Sequence, residues 1–119
     1  MRQTINTDCI FCKIAAGEFG TEFLYESPEI VAFRDIHPKA PTHILIIPRR
    51  HIPKVSDLTE EDEKLIGRMI TVANILAEQE GLRERGFRLI FNCGRESGQE
   101  VFHLHLHLLG GRLFNWPPG

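Results

Sequence analysis

The sequence predicts a single α+β domain over residues 1–119, built on a mostly antiparallel sheet of about five strands with one short and one long helix. Three observations carry that expectation. His103-Leu104-His105-Leu106-His107-Leu108 alternates polar and apolar residues with the period of a strand. Leu65, Met69, Val72, Ala73 and Leu76 recur at helical spacing. Ser27-Pro28-Glu29 separates two β-prone runs as a turn would.

Taken in order, residues 8–16 read as a short helix, with Asp8 as N-cap and Gly17 as stop. Phe23 to Glu26 and Ile30 to Asp35 read as the two strands of a hairpin. Pro38 and Pro41 mark a loop. His43 to Ile47 is apolar and rich in isoleucine, the pattern of a buried strand, and Pro48 ends it. Asp57 or Thr59 can cap the long helix, whose positive end suits Glu60, Glu61 and Asp62; Gly81 stops it. Phe87 to Phe91 is a further strand. A polar, glycine-bearing loop from Asn92 to Gln99 leads into the histidine segment, and Asn115 to Gly119 is neither helix nor strand.

A chain of 119 residues can bury a core without staples. Its net charge is −2, and no basic run exceeds Arg49-Arg50, which argues against a long nucleic-acid ligand. The run Ile44-Leu45-Ile46-Ile47 is far too short to span a bilayer, and Met1 to Asn6 has no apolar signal-like core. The expectation is a cytoplasmic protein with neither membrane nor nucleic acid as partner.

The alternation places three imidazoles on one strand face, neighbours about 6.5–7 Å apart, with the leucines turned to the core. Three readings compete: a metal site, since three histidines can form an open zinc shell; nucleophilic catalysis, with one ring attacking and its neighbours donating; and a solvated face without a role. Attack at phosphorus needs a neutral imidazole, charge stabilisation on the phosphoryl oxygens and an acid for the leaving group. The histidine row can supply these, and the backbone N–H groups from Gly98 to Val101 can face an anion. Cys9 and Cys12 form a C-x-x-C, open to zinc, redox or inert-thiol readings, and Cys93 stands apart.

The segment from His103 to Leu109 resembles the signature of the histidine triad (HIT) superfamily. Asp8 to Ile14, Ala32 to Pro48, Phe87 to Asn92, Gly98 to Arg112 and Trp116 to Gly119 all look like its Hint branch, the purine nucleoside phosphoramidases. Gly110-Gly111-Arg112 favours that branch over the dinucleoside polyphosphate hydrolases. The resemblance implies a HIT-like fold and a homodimer that binds a purine mononucleotide of the AMP or GMP type. It implies hydrolysis of P–N bonds in nucleoside 5′-phosphoramidates through a nucleotidyl-histidine intermediate. The rivals are a dinucleoside polyphosphate hydrolase and a non-catalytic, nucleotide-dependent interaction module.

The resemblance makes His105 the nucleophile. His107 binds the α-phosphate and helps protonate the leaving amine, His103 orients the row, and His43 supports it. Asn92 bonds near ribose and phosphate, Asp35 accepts from the ribose hydroxyls, and Phe11, Ile14, Phe33 and Ile36 sandwich the base. Read from the residues alone, those last four are plain core. Gln99, Glu100 and Val101 lie along the phosphate, and Trp116 reaches toward the partner's site. Glu100 stands where many Hint proteins have Ser; its carboxylate would repel phosphate unless turned away, which predicts an altered leaving-group preference. The resemblance also implies a structural zinc on Cys9, Cys12, His51 and His103. His37 is expected at the surface, and Cys93 beside the site without ligating.

Overall fold

The Ser27 turn sets the first strand pair. Its N–H donates to the Ile30 carbonyl at 2.8 Å, and its hydroxyl accepts from the Ile30 N–H at 3.1 Å. This joins β1 (Tyr25–Glu26) to β2 (Ile30–Arg34). The computed structural model describes residues 8–119; the stretch Met1 to Asn6, read above for a signal-like core, lies outside them. The full sheet is antiparallel, in the order β1-β2-β3-β5-β4, with β3 at Thr42–Pro48, β4 at Phe87–Ile90 and β5 at Leu106–Gly110.

Every residue of β3 is buried, because both sheet faces are covered. Ile44 and Ile46 face a core closed by α2 (Glu63–Gln79), which contributes Met69, Val72, Ala73, Leu76 and Ala77. Leu45 and Ile47 face the other way, onto α1 (Ile10–Ala15), with Cys9, Phe11, Cys12 and Phe33. Leu104, Leu106 and Leu108 belong to the α2 side. The intervening histidines therefore lie on the α1 side, which brings the C-x-x-C to the histidine row.

Several element ends differ from the sequence expectation. Cys9, not Asp8, caps α1: its sulfur accepts the Cys12 N–H at 3.4 Å. The helix stops at Ala15, and Gly17 then takes φ +83°. The first strand keeps only Tyr25 and Glu26 of the four residues expected, the second stops one residue before Asp35, and the fourth stops at Ile90 rather than Phe91. Pro48 closes β3 from inside it, opposite Ile30. Thr59 supplies the cap before α2, through a capping box with Asp62 over a 3-10 turn at Glu60–Asp62. Asp57 instead sits in its own 3-10 turn, paired with Lys54. The histidine segment is only half ladder: β5 starts at Leu106, and residues 103–105 run beside residues 48–52, where the Leu104 N–H donates to the Ile52 carbonyl at 2.6 Å.

The Gly110-Gly111 pair has a packing reason. A Cβ at Gly110 would lie 2.5 Å from a Leu82 methyl; one at Gly111 would lie 2.8 Å from Pro41, on a backbone at φ +93°. Leu82 is flexible, whereas the proline ring and the left-handed backbone are not. Gly111→Ala is expected to cost about 3 kcal/mol and lower Tm by about 10 °C, and Gly110→Ala about 1 kcal/mol. Thermal melts of both variants check the ranking; equal losses would contradict it.

Candidate active site and adjoining metal centre

His103, His105 and His43 each have one ring nitrogen committed to a backbone group, and that commitment assigns the other nitrogen and, through His43, the tautomer of His107. His103 Nε2 lies 2.7 Å from the Pro48 carbonyl, so it carries the proton and donates, leaving Nδ1 a bare lone pair. His105 Nδ1 lies 2.7 Å from the His103 carbonyl and donates to it, leaving Nε2 bare. His43 Nδ1 accepts the Lys39 N–H at 3.1 Å, so its Nε2 is the protonated nitrogen. That Nε2 lies 2.9 Å from His107 Nδ1 and donates to it. His107 therefore carries its proton on Nε2, a buried atom with no hydrogen-bond partner among the described residues.

The result is a nucleophilic lone pair on His105 and an unused N–H on His107, on rings whose centroids are 4.9 Å apart. Burial lowers the pKa of His105 and so favours the neutral, nucleophilic ring; the His103 carbonyl and Asp35 oppose the shift. Burial, then the neighbouring His105 and His43, lowers His107 to about 4. His43 is also lowered by burial, against the raising influence of Asp35.

These shifts fix a sign. An unfolded chain protonates His107 below about pH 6.5, whereas the folded chain does so only near 4. The stabilising contribution is complete above about 6.5 and is lost as pH falls toward 4. Urea unfolding should give a lower stability at pH 5 than at pH 7. His107→Asn should flatten that slope; an unchanged slope would count against the assignment.

Asp35 follows β2. Its Oδ1 accepts the His37 N–H at 2.7 Å, and its Oδ2 lies 3.5 Å from His43 Nε2. Asp35, His43 and His107 together are close enough to suggest a metal site. The tautomer argues against one, because a neutral His43 accepting at Nδ1 has no lone pair at Nε2 to give a cation.

The second cluster has the opposite character. His103 Nδ1 stands 3.3 Å from Cys9 Sγ, 3.5 Å from Cys12 Sγ and 3.3 Å from His51 Nδ1, and Cys12 Sγ is 3.4 Å from His51 Nδ1. Tetrahedral zinc with ordinary bond lengths requires S–N edges of about 3.6 Å and N–N edges of about 3.3 Å. Two thiols and two ring nitrogens thus converge at the spacing a single ion imposes, and these four residues can hold a metal ion. The Pro48 carbonyl orients the His103 ligand from behind. Arg50, next to His51, is bonded to Asp62, whose carboxyl is held below its usual range by the Thr59 N–H and by Arg50.

The other expected site residues are distributed unevenly. Phe11 and Phe33 meet edge to face at 5.8 Å and are buried; Phe11 also touches the rings of His103 and His105. Ile14 lies at the margin of that cluster, while Ile36 is 86% exposed, so the four do not close a slot among the described residues. Asn92, half-buried, lies two residues beyond the Ile90–His107 pair. Trp116 is 84% exposed. His37 and Cys93 are exposed, and Cys93 belongs to neither cluster.

The Gln99 side chain is used within the fold. It accepts the Gly94 N–H at 2.8 Å and donates to the Pro53 and Val101 carbonyls at 2.9 and 3.0 Å, bracing the loop. The N–H groups of Gly98 and Gln99 are also spent inside the loop, on the Arg95 and Gly94 carbonyls. Of the four N–H groups expected to face an anion, those of Glu100 and Val101 keep no partner among the described residues. Glu100 itself lines a cleft with Asp8, Cys9 and His51, on the metal side of the row. The sequence reading missed the Pro48 and Lys39 backbone groups, since no residue type marks a carbonyl or amide that will orient a distant ring.

The fold and site are those of a histidine-triad protein. The HIT domain family matches residues 16–113, and the chain belongs to that family. It is 55% identical over 105 residues to the purine nucleoside phosphoramidase of Escherichia coli K12, covering 88% of each chain. It superposes on the HIT family hydrolase of Legionella pneumophila with a TM-score of 0.91 at 52% identity, covering 93% of this chain and 99% of that one. It is also similar to the histidine triad nucleotide-binding protein of Candida albicans, with a TM-score of 0.78 at 32% identity over 92% of this chain and 82% of that one.

Proposed function

We propose that this chain is a nucleoside phosphoramidase: it binds a purine mononucleotide moiety and hydrolyses the P–N bond of nucleoside 5′-phosphoramidates. The observation that carries the reading is the bare Nε2 of His105, fixed by donation from its own Nδ1 to the His103 carbonyl. Attack by that nitrogen forms an N–P bond as the P–N bond to the amine breaks. His107 Nε2–H supplies the proton with which the amine departs. Water then attacks the nucleotidyl-His105, the pair in the N–P bond returns to Nε2, and the water proton restores His107.

Supporting roles follow the geometry. His43 holds His107 in the required tautomer. We assign Asp35 Oδ2 to the ribose hydroxyls, Asn92 to ribose and phosphate, and the N–H groups of Glu100 and Val101 to phosphate. Phe11, Phe33, Ile14 and Ile36 flank the base, the last by its exposed side chain. We assign zinc to Cys9, Cys12, His51 and His103; with all four residues as ligands, a bound ion would tie α1 to the histidine strand and serve a structural rather than a Lewis-acid role. Ligating thiolates suit a reducing, cytoplasmic setting. No helix among the described residues is long and apolar enough to cross a membrane.

A homodimer agrees with the edge position of β4 and with exposed Leu113 and Trp116 in the tail, which can pack on a second copy. Incubation with adenosine 5′-phosphoramidate and with diadenosine triphosphate tests the activity. Turnover of the first at least about 100-fold faster than the second is expected, a gap of about 2.7 kcal/mol in barrier. Selective turnover of the second would identify a dinucleoside polyphosphate hydrolase instead. AMP binding without turnover of either would identify an interaction module.

A further inference from the structure

The four side chains of the cysteine–histidine cluster are not held equally well. Cys9 caps α1 and Cys12 lies within it. His103 is fully buried, and its Nε2 donates to the Pro48 carbonyl. His51 has no such support. It is half-buried, and residues 51–54 form neither helix nor strand. Among the described residues its ring bonds only within the cluster, Nδ1 lying 3.4 Å from Cys12 Sγ and 3.3 Å from His103 Nδ1. A ligating imidazole ordinarily takes its orientation from a hydrogen bond at its other nitrogen. For His51 the orientation has to come through the backbone.

That backbone is pinned from alternate sides. The Arg49 N–H donates to the Glu29 carbonyl at 2.8 Å, and the Arg49 guanidinium donates to the Ala15 carbonyl, at the end of α1, at 2.8 Å. His51 turns the same way, to Cys12 of α1. Arg50 turns the other way and bonds Asp62, the residue before α2. Ile52 follows it into the core on the α2 side, and its carbonyl accepts the Leu104 N–H at 2.6 Å. Between the fixed backbone groups of Arg49 and Ile52 stand only Arg50 and His51. Where successive side chains point to opposite sides, anchoring one aims the next.

Asp62 is a firm anchor. Its Oδ2 accepts the Thr59 N–H at 2.9 Å in the capping box, which leaves Oδ1 for Arg50. Both side chains of the Arg50–Asp62 pair are more buried than those of the nearby Lys54–Asp57 pair, so solvent and salt screen this charge-assisted bond less. Behind the carboxylate stands α2, a helix of 17 residues packed on the sheet.

We propose that Arg50, clasped by Asp62, is the positioning residue for the ligand His51, so that the start of α2 governs how tightly the cluster holds zinc. This rests on the zinc assignment and adds to it a residue outside the ligand set.

The test measures zinc dissociation constants by competition with a chelating dye, at a temperature where far-UV circular dichroism shows every variant folded. Arg50→Gln should raise the Kd at least about tenfold. Asp62→Ala, which removes the other half of the clasp, should do the same. Arg50→Lys keeps the charge and one bond, and should raise the Kd less than about threefold. The deciding comparison uses a His51→Ala background. There Arg50→Gln should change the Kd less than about twofold, because the ligand it positions is gone. Cobalt(II) gives a second readout. Its visible absorption is strong in a tetrahedral site and should weaken in Arg50→Gln as the His51 nitrogen is lost.

An equal rise in both backgrounds would show that Arg50 supports the fold at large, and overturns the proposal. An unchanged Kd in Arg50→Gln also overturns it and leaves the zinc assignment standing. A wild type that binds neither zinc nor cobalt overturns the zinc assignment, and the clasp with it.

Discussion

His105→Asn should lower kcat for adenosine 5′-phosphoramidate by at least about 10⁴-fold while AMP binding changes less than about threefold. Among the three rings of the row, His105 has the bare nitrogen that neither the cysteine–histidine cluster nor a neighbouring ring donor takes up. His103 spends its bare Nδ1 on the metal cluster, and His107 Nδ1 is occupied by the His43 donor. Asparagine keeps a polar side chain of similar reach, with an amide N–H that can still meet the His103 carbonyl, but it offers no nucleophile. Rapid acid quench after mixing with a ³²P-labelled substrate should trap a nucleotidyl adduct on the wild type and none on the variant. An adduct that persists in the variant would move the nucleophile elsewhere. A fall of only tenfold would show that water attacks directly, with the row serving as a charge stabiliser.

Removing the zinc proposed for Cys9, Cys12, His51 and His103 should cost several kcal/mol of stability. Four ligands from three separated segments meet at one point: Cys9 and Cys12 at α1, His51 after β3, and His103 before β5. Without a cation, His51 and His103 turn two ring nitrogens toward one another at 3.3 Å beside two thiols, an arrangement that only a shared proton or an ion offsets. Protein prepared without chelator should carry close to one zinc per chain by elemental analysis. Stripping it, or replacing Cys12 by Ser, should lower Tm by more than about 10 °C. With all four residues as ligands a bound zinc would keep no open position, so turnover per folded molecule at low temperature should fall far less than the melting point suggests. Metal content below about half an equivalent, or an unchanged Tm after stripping, would count against the assignment.

The two sites share His103 and the backbone around it, which explains why they were legible to different degrees. The order of elements was readable because hydrophobic period is a local property. Leu104, Leu106 and Leu108 alternate, Met69 to Leu76 recur at helical spacing, and both patterns point at one core. Element ends were less readable because they depend on partners. Asp8 is a fine cap by composition, yet Cys9 is the residue whose sulfur reaches the Cys12 amide. The histidine segment looks like an unbroken strand, but residues 103–105 run beside residues 48–52 instead of joining the ladder. Gln99 looked like a phosphate neighbour, and the fold uses every bond of its side chain to hold the loop.

The sequence by itself determined which residue types share a face: imidazoles on one side of an extended segment, aliphatics on the other, with a cysteine pair able to ligate. That follows from a two-residue period and needs no knowledge of distant contacts. Tertiary structure decided which nitrogen of each ring is free. The carbonyls of Pro48 and His103 and the amide of Lys39 fix the tautomers, and two of these lie more than fifty residues from the ring whose proton they settle, directly or through His43. Proton position is a property of the hydrogen-bond partner, and partners are assigned only when the chain folds.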